Sequence, residues 1–184
     1  MICAHMSHWR VAIAPPDKPL EAVKTIVPKA IEVDGVSKAY GRRRALRSAS
    51  LSVPSGTTCM LRGANGSGKS TLLRICLGLT RPDAGTVRIC GFDVQRQGQA
   101  SRSLCGAVLG VSALYPHLPA WDNVVHFARL SGLSRRDAGH RARELFDRFG
   151  LGERVREHPS TWSDGMRQKL RLVRALAPGP SVIL

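Results

Sequence analysis

The nine residues Gly63-Ala64-Asn65-Gly66-Ser67-Gly68-Lys69-Ser70-Thr71 limit the fold more than any other stretch of the chain. They fit G-x-x-x-x-G-K-[ST], in which glycines let backbone amides close on an anion, the lysine reaches its outer oxygens and the hydroxyl can ligate magnesium. Such a loop sits between a buried strand and a helix whose amino end faces the anion. Both are legible here: Thr57 to Leu61 reads as a short buried strand, and Ser70 to Leu77 as a helix. The candidate phosphate-binding residues are therefore Gly63, Asn65, Gly66, Ser67, Gly68, Lys69, Ser70 and Thr71, with Ser70 as the magnesium ligand. The alternative, an ordinary glycine-rich turn, is disfavoured by the flanking strand and helix.

Around this loop the pattern is α/β. Residues 1–29 carry Pro15, Pro16, Pro19 and Pro28 and no sustained periodicity, which predicts a poorly ordered extension. From residue 30 onward Ile31, Val33 and Val36 suggest a strand, and Leu46 to Val53 alternates like a half-buried one. Arg81 to Gly85 reads as a turn and Thr86 to Gly91 as another strand. Leu104 to Leu109 is a candidate buried strand, interrupted by Pro116 to Pro119. Helices dominate beyond it: Trp121 to Leu130, and a second helix opened by Ser134-Arg135-Arg136-Asp137, with an acid three residues after the cap. That helix carries Ala138, Ala142, Leu145, Phe146 and Phe149 on one side, a core-packing stripe, and stops at Gly150.

The 184 residues suffice for one domain with a substantial core. The formal charge of +15 admits an anionic partner or an arginine-rich solvated surface. The second is favoured, because the one dense run, Arg42-Arg43-Arg44, is three residues long and no aromatics interleave with basic residues as a base-stacking platform requires. Nucleic acid is thus a disfavoured partner. Cys3, Cys59, Cys76, Cys90 and Cys105 are odd in number and form no C-x-x-C pair, so neither a zinc site nor a disulfide framework is expected. Cys59, Cys76 and Cys90 lie in apolar segments, as reduced core residues of a cytoplasmic protein do. No apolar run approaches the ~20 residues that span a bilayer, and no signal peptide is legible.

Further motifs lie on either side of the loop, in a fixed order. Val36-Ser37-Lys38-Ala39-Tyr40-Gly41 precedes it, and Trp162-Ser163-Asp164-Gly165-Met166-Arg167-Gln168-Lys169, followed by an amphipathic helix, comes after it. Alone, Tyr40 fits a core tyrosine at a strand end, and the later segment fits a capped helix. Together with the loop they resemble the nucleotide-binding subunit of an ATP-binding cassette (ABC) transporter, over Ile31 to the last residue. The resemblance implies an α/β fold of the ABC type, with β-subdomain strands around the phosphate loop and a helical subdomain at about 115–165. It implies ATP and magnesium as ligands, Tyr40 stacked on adenine, and Ser163 and Gly165 binding the terminal phosphate of ATP held by a second nucleotide-binding subunit in a head-to-tail dimer. It also implies a transmembrane permease subunit as partner and a peripheral place on the inner face of the cell membrane.

Departures from the family pattern are equally specific. Gly110 occupies the position of the family's loop glutamine and has no side chain to ligate magnesium or sense a membrane partner. Asp164 stands where glycine is commonest and adds negative charge near the opposing phosphate; Met166 replaces a glutamine or glutamate. Ser181-Val182-Ile183-Leu184 resembles the start of the strand that ends, in the family, in a magnesium-binding aspartate and a catalytic glutamate. No catalytic residue is assigned within the 184 residues, and none of the six histidines follows such a strand as a switch histidine. The expected function is ATP binding and hydrolysis coupled to export through a separate membrane subunit, with nucleotide binding but no efficient turnover by these residues alone. The alternatives are a cassette protein acting on RNA or DNA and a non-catalytic, truncated nucleotide-binding remnant.

Overall fold

The computed structural model describes residues 28–108 and 114–184, and residues 10–14 as backbone. The chain divides into two compact units, Met1–Leu104 and Cys105–Leu184.

The first unit is built on β2 (Lys29–Tyr40), which lies between β3 (Arg43–Pro54) and β5 (Ala84–Ile89), with the short β6 (Phe92–Asp93) outside β5. All pairs are antiparallel. Alternation makes one face of this sheet apolar. Ile31 stands opposite Val53 and Ile89, and Val33 opposite Leu51 and Val87. Val36, Ala49, Val87 and Ile89 are fully or almost fully buried. β2 and β3 are longer than their apolar patterns suggest, because they continue as a hairpin to the pair Tyr40–Arg43, beyond the last core residues. β5 ends two residues earlier than its alternation implies: Cys90 (φ 48°) and Gly91 (φ 85°) form a two-residue turn with both residues left-handed, as a hairpin joining Ile89 to Phe92 requires.

β4 (Thr58–Arg62) delivers the glycine-rich loop, and α1 (Lys69–Cys76) follows it. Leu72, Ile75 and Cys76 are the buried face of α1, which packs on β3 and β5. Within the stretch expected to be an extension, β1 (Arg10–Ala14) pairs antiparallel with β4, Arg10 opposite Arg62 and Ala14 opposite Thr58. The remainder of residues 1–27 lies outside the described residues. A short α2 (Gly98–Ser103), too brief to carry a periodic signal, completes this unit.

The second unit holds α3 (Ala120–Leu130), α4 (Arg135–Arg148) and α5 (Asp164–Leu176). Their small residues Ala120, Ala128, Ala138 and Ala142 let the helices approach, and Phe146, Leu145, Leu170 and Val173 fill the space between them. Ser134 caps α4 as its spacing implies, accepting from the Asp137 amide at 3.1 Å and donating to its carboxylate at 2.6 Å. The strand expected over Leu104 to Leu109 is realised as β7 (Cys105–Gly106), paired in parallel with β8 (Val182–Ile183). Residues 109–113, including Gly110, lie outside the described residues.

Candidate nucleotide site

The loop between β4 and α1 is shaped by its glycines and closed by its lysine. Gly66 and Gly68 have φ of 81° and 96°, and a Cβ on Gly68 would run into the Ala45 carbonyl oxygen of β3, so only glycine lets the loop lie this close to the sheet. The Lys69 ammonium donates to the carbonyls of Gly63 at 2.6 Å and Ala64 at 2.8 Å. Gly68 is the N-cap of α1 and no side chain caps the helix, nor is there an acidic residue in its first turn. The first amides of an α-helix have no partners inside the helix, and the helix dipole adds positive potential there. The amino end of α1 is therefore a site for an anion.

Tyr40 reaches the same place from the other side. β2 ends at Tyr40, whose ring is half exposed. Its approach is fixed by Asp83, which accepts from the Lys38 ammonium at 2.6 Å and from the Ala39 amide at 2.7 Å. These two hydrogen bonds, that of Lys38 first, hold the Asp83 carboxyl below its ordinary pKa. Lys38 in turn lies 5.7 Å from the centre of the Tyr40 ring. Tyr40, Arg43, Ala45, Asn65, Gly66, Gly68, Lys69, Ser70 and Thr71 line one cavity of about 440 Å³. Among the described residues no carboxylate lines it, so the cavity presents one aromatic face, two cations, the Asn65 carboxamide and two aliphatic hydroxyls. That chemistry matches a planar base joined to a polyanion.

Gly63 and Ser67 complete the loop through Lys69, as acceptors of its ammonium. Two lining residues carry no signal of their own in the sequence: Ala45, and Arg43, which stands there only as one member of an arginine run. Among the described residues no cluster of three His, Cys, Asp or Glu could hold a metal ion. A magnesium ion would fit here as part of a phosphate complex, with the Ser70 hydroxyl as the candidate protein ligand, and magnesium commonly binds in that way.

Ser163 and Gly165 belong to the second unit, at the start of α5. Ser163 is the N-cap, its hydroxyl accepting from the Met166 amide at 3.3 Å. A Cβ at Gly165 would meet nothing within 4 Å, so this helix start is open. The Asp164 side chain is 94% exposed and paired with Arg167 at 2.7 Å, which offsets the negative charge expected there. Arg167 also donates to the Trp162 carbonyl.

The ABC transporter family profile matches residues 46–184. The chain is 40% identical over 154 residues to the daunorubicin resistance ATP-binding protein DrrA3 of Streptomyces coeruleorubidus, covering 84% of this chain and 49% of that one. It is 41% identical over 158 residues to the sulfate/thiosulfate import ATP-binding protein CysA 2 of Chromobacterium violaceum, covering 84% of this chain and 42% of that protein. A solved ATP-binding subunit of an ABC transporter superposes with a TM-score of 0.72 at 26% identity, over 84% of this chain and 64% of the other. The chain thus spans about half the length of the relatives it matches in sequence. No helix among the described residues is long and apolar enough to cross a membrane. With its phosphate loop, the aromatic residue before it and the capped helix after it in the family's order, the chain belongs to the ABC transporter family.

Proposed function

We propose that this chain binds magnesium-ATP at the loop Gly63 to Thr71 and forms the nucleotide-binding part of an ABC-type ATPase that drives a transmembrane permease subunit. The observation that carries this reading is the single cavity shared by Tyr40, Lys69, Ser70 and the loop glycines. Adenine stacks on Tyr40, the amides at the start of α1 cradle the phosphates, and Lys69 exchanges the Gly63 and Ala64 carbonyls for phosphate oxygens. The Ser70 hydroxyl would hold a magnesium ion together with the nucleotide, and the ion would supply charge neutralisation at the terminal phosphoryl group. In-line attack by water also needs a group that positions the water. Among the described residues lining the cavity none is a carboxylate, so the water-positioning group is not assigned to this lining.

Ser163 and the open amino end of α5 serve a second site, completing the ATP site of another nucleotide-binding subunit in a head-to-tail dimer. Such an assembly works at the inner face of the cell membrane. We place the transporter on the export side, on the strength of Ser163-Asp164-Gly165-Met166 and of Gly110 at the glutamine position. Relatives named for drug resistance and for sulfate import match at equal identity, so this part of the reading rests on those residues alone.

Calorimetric titration with magnesium-ATP tests the reading. Lys69→Ala removes a charge-assisted bond worth about 1.5 to 3 kcal/mol, so affinity should fall by one to two orders of magnitude. Equal binding by both proteins would remove the assignment.

A further inference from the structure

We infer that Arg43 is a second phosphate-binding cation of this site, acting with Lys69 and supplied by the β2–β3 hairpin rather than by the phosphate loop. The inference rests on the nucleotide reading above.

Hairpin geometry fixes where Arg43 stands. Gly41 (φ 57°) and Arg42 make the turn, so Arg43 pairs directly with Tyr40 across the hairpin. The residue that offers an aromatic face to the cavity and the residue that offers a guanidinium are thus held by one register pair. Arg43 reaches over the loop, where its Nη2 donates to the Gly66 carbonyl at 3.3 Å. A Cβ on Gly66 would lie 2.8 Å from the same nitrogen, so the guanidinium rests directly on the glycine backbone.

Both cations of the cavity are therefore parked on loop carbonyls, Lys69 on Gly63 and Ala64 and Arg43 on Gly66. Among the described residues Arg43 takes part in no ion pair. A carbonyl at 3.3 Å is a weak partner for a guanidinium, whose planar fork matches two phosphate oxygens at once. A polyphosphate entering the loop offers those oxygens, and Arg43 can turn to it without leaving a buried charge unpaired, because its side chain is exposed. Arg42 and Arg44, its neighbours in the run, do not line the cavity.

A brace for the empty loop is the competing role, and the number of phosphates distinguishes the two. Dissociation constants for AMP, ADP and ATP with magnesium, measured on the full chain, Arg43→Gln, Arg43→Lys and Lys69→Ala, read the difference. The inference expects Arg43→Gln to weaken ATP about tenfold or more while AMP changes less than about twofold. It also expects Arg43→Lys to recover part of the loss, and the salt dependence of ATP binding to flatten in Arg43→Gln. Melting temperatures without nucleotide should match the unaltered chain; if Arg43→Gln does not fold, Arg43→Lys is read alone, and it must weaken ATP more than AMP. ATP affinity unchanged by Arg43→Gln while Lys69→Ala weakens it would overturn the Arg43 role and leave the nucleotide site standing. Equal weakening of AMP and ATP would assign Arg43 to bracing the loop and overturn the inference. Failure of the unaltered chain to bind ATP would remove the nucleotide reading and this inference together.

Discussion

The Lys69 ammonium is hydrogen-bonded to the Gly63 carbonyl at 2.6 Å, so the loop's last residue before the hydroxyls ties down its first glycine. A second bond to Ala64 at 2.8 Å makes the lysine a brace of the loop, besides its proposed role as a phosphate ligand. Lys69→Ala should therefore speed amide hydrogen exchange over residues 63–68 before any nucleotide is added. Exchange unchanged in the absence of nucleotide would show that the brace contributes nothing.

Tyr40 is half exposed at the end of β2, with its ring at the cavity. An aromatic stack on a base contributes about 0.5 to 1.5 kcal/mol. Tyr40→Ala should weaken ATP and ADP alike by roughly two- to tenfold, whereas Tyr40→Trp should keep the affinity within about twofold. Titrations showing no loss in Tyr40→Ala would take the base away from this residue.

Asp83 anchors the same strand end through Lys38 and the Ala39 amide, and these partners depress its pKa. A carboxylate with a depressed folded pKa adds stability that is present above the unfolded value of about 4 and is lost as pH falls through the folded value. The unaltered chain should lose stability as pH falls below about 4. Asp83→Asn should show a shallower decline in acid melts over that range, with weaker nucleotide binding at neutral pH because Tyr40 loses its support. Identical acid profiles would show that Asp83 does not carry the effect.

Asn123 is completely buried in α3. Its side-chain oxygen accepts from the Tyr115 amide at 2.7 Å, and its nitrogen donates to the carbonyls of Tyr115 and Leu118 at 3.0 and 2.9 Å. Asn123→Ala leaves the part-buried backbone groups of Tyr115 and Leu118 without this partner and should cost about 1 to 3 kcal/mol. Urea denaturation followed by the tryptophans of the second unit would measure it, and a loss under about 0.5 kcal/mol would contradict this account of the helical unit.

Ser163 has an observed role as a helix cap and a proposed one at a subunit interface, and the two are separable. As the N-cap of α5 its removal in Ser163→Ala should cost about 1 kcal/mol, and Ser163→Asn should restore most of that stability. As a phosphate ligand for a second subunit, both substitutions should reduce self-association induced by magnesium-ATP, measured by sedimentation. Association that survives both changes would confine Ser163 to the cap.

The loop, its helix and the presence of its strand were legible because each rests on local chemistry: glycines at positive φ, a lysine at fixed spacing and an apolar face on α1; the expected burial of the strand was not met, since Thr58–Arg62 alternates exposed and half-buried. The cap at Ser134 and the stripe on α4 were legible for the same reason. The strand β1 was not, since its pairing with β4 depends on a partner more than forty residues away, and five residues among prolines give no periodic signal. Arg43 and Ala45 were missed as lining residues because a hairpin register, rather than a motif, brings them to the cavity. The support of Tyr40 by Asp83 joins positions 44 residues apart from Ala39, a relation the sequence alone does not express.

The most direct test of the site is photolabelling with 8-azido-ATP, followed by mass mapping of the labelled peptide. Label is expected on the peptide that contains Tyr40, suppressed by excess ATP and lost in Lys69→Ala. Label confined to residues 105–184, or undiminished by ATP, would contradict the nucleotide site.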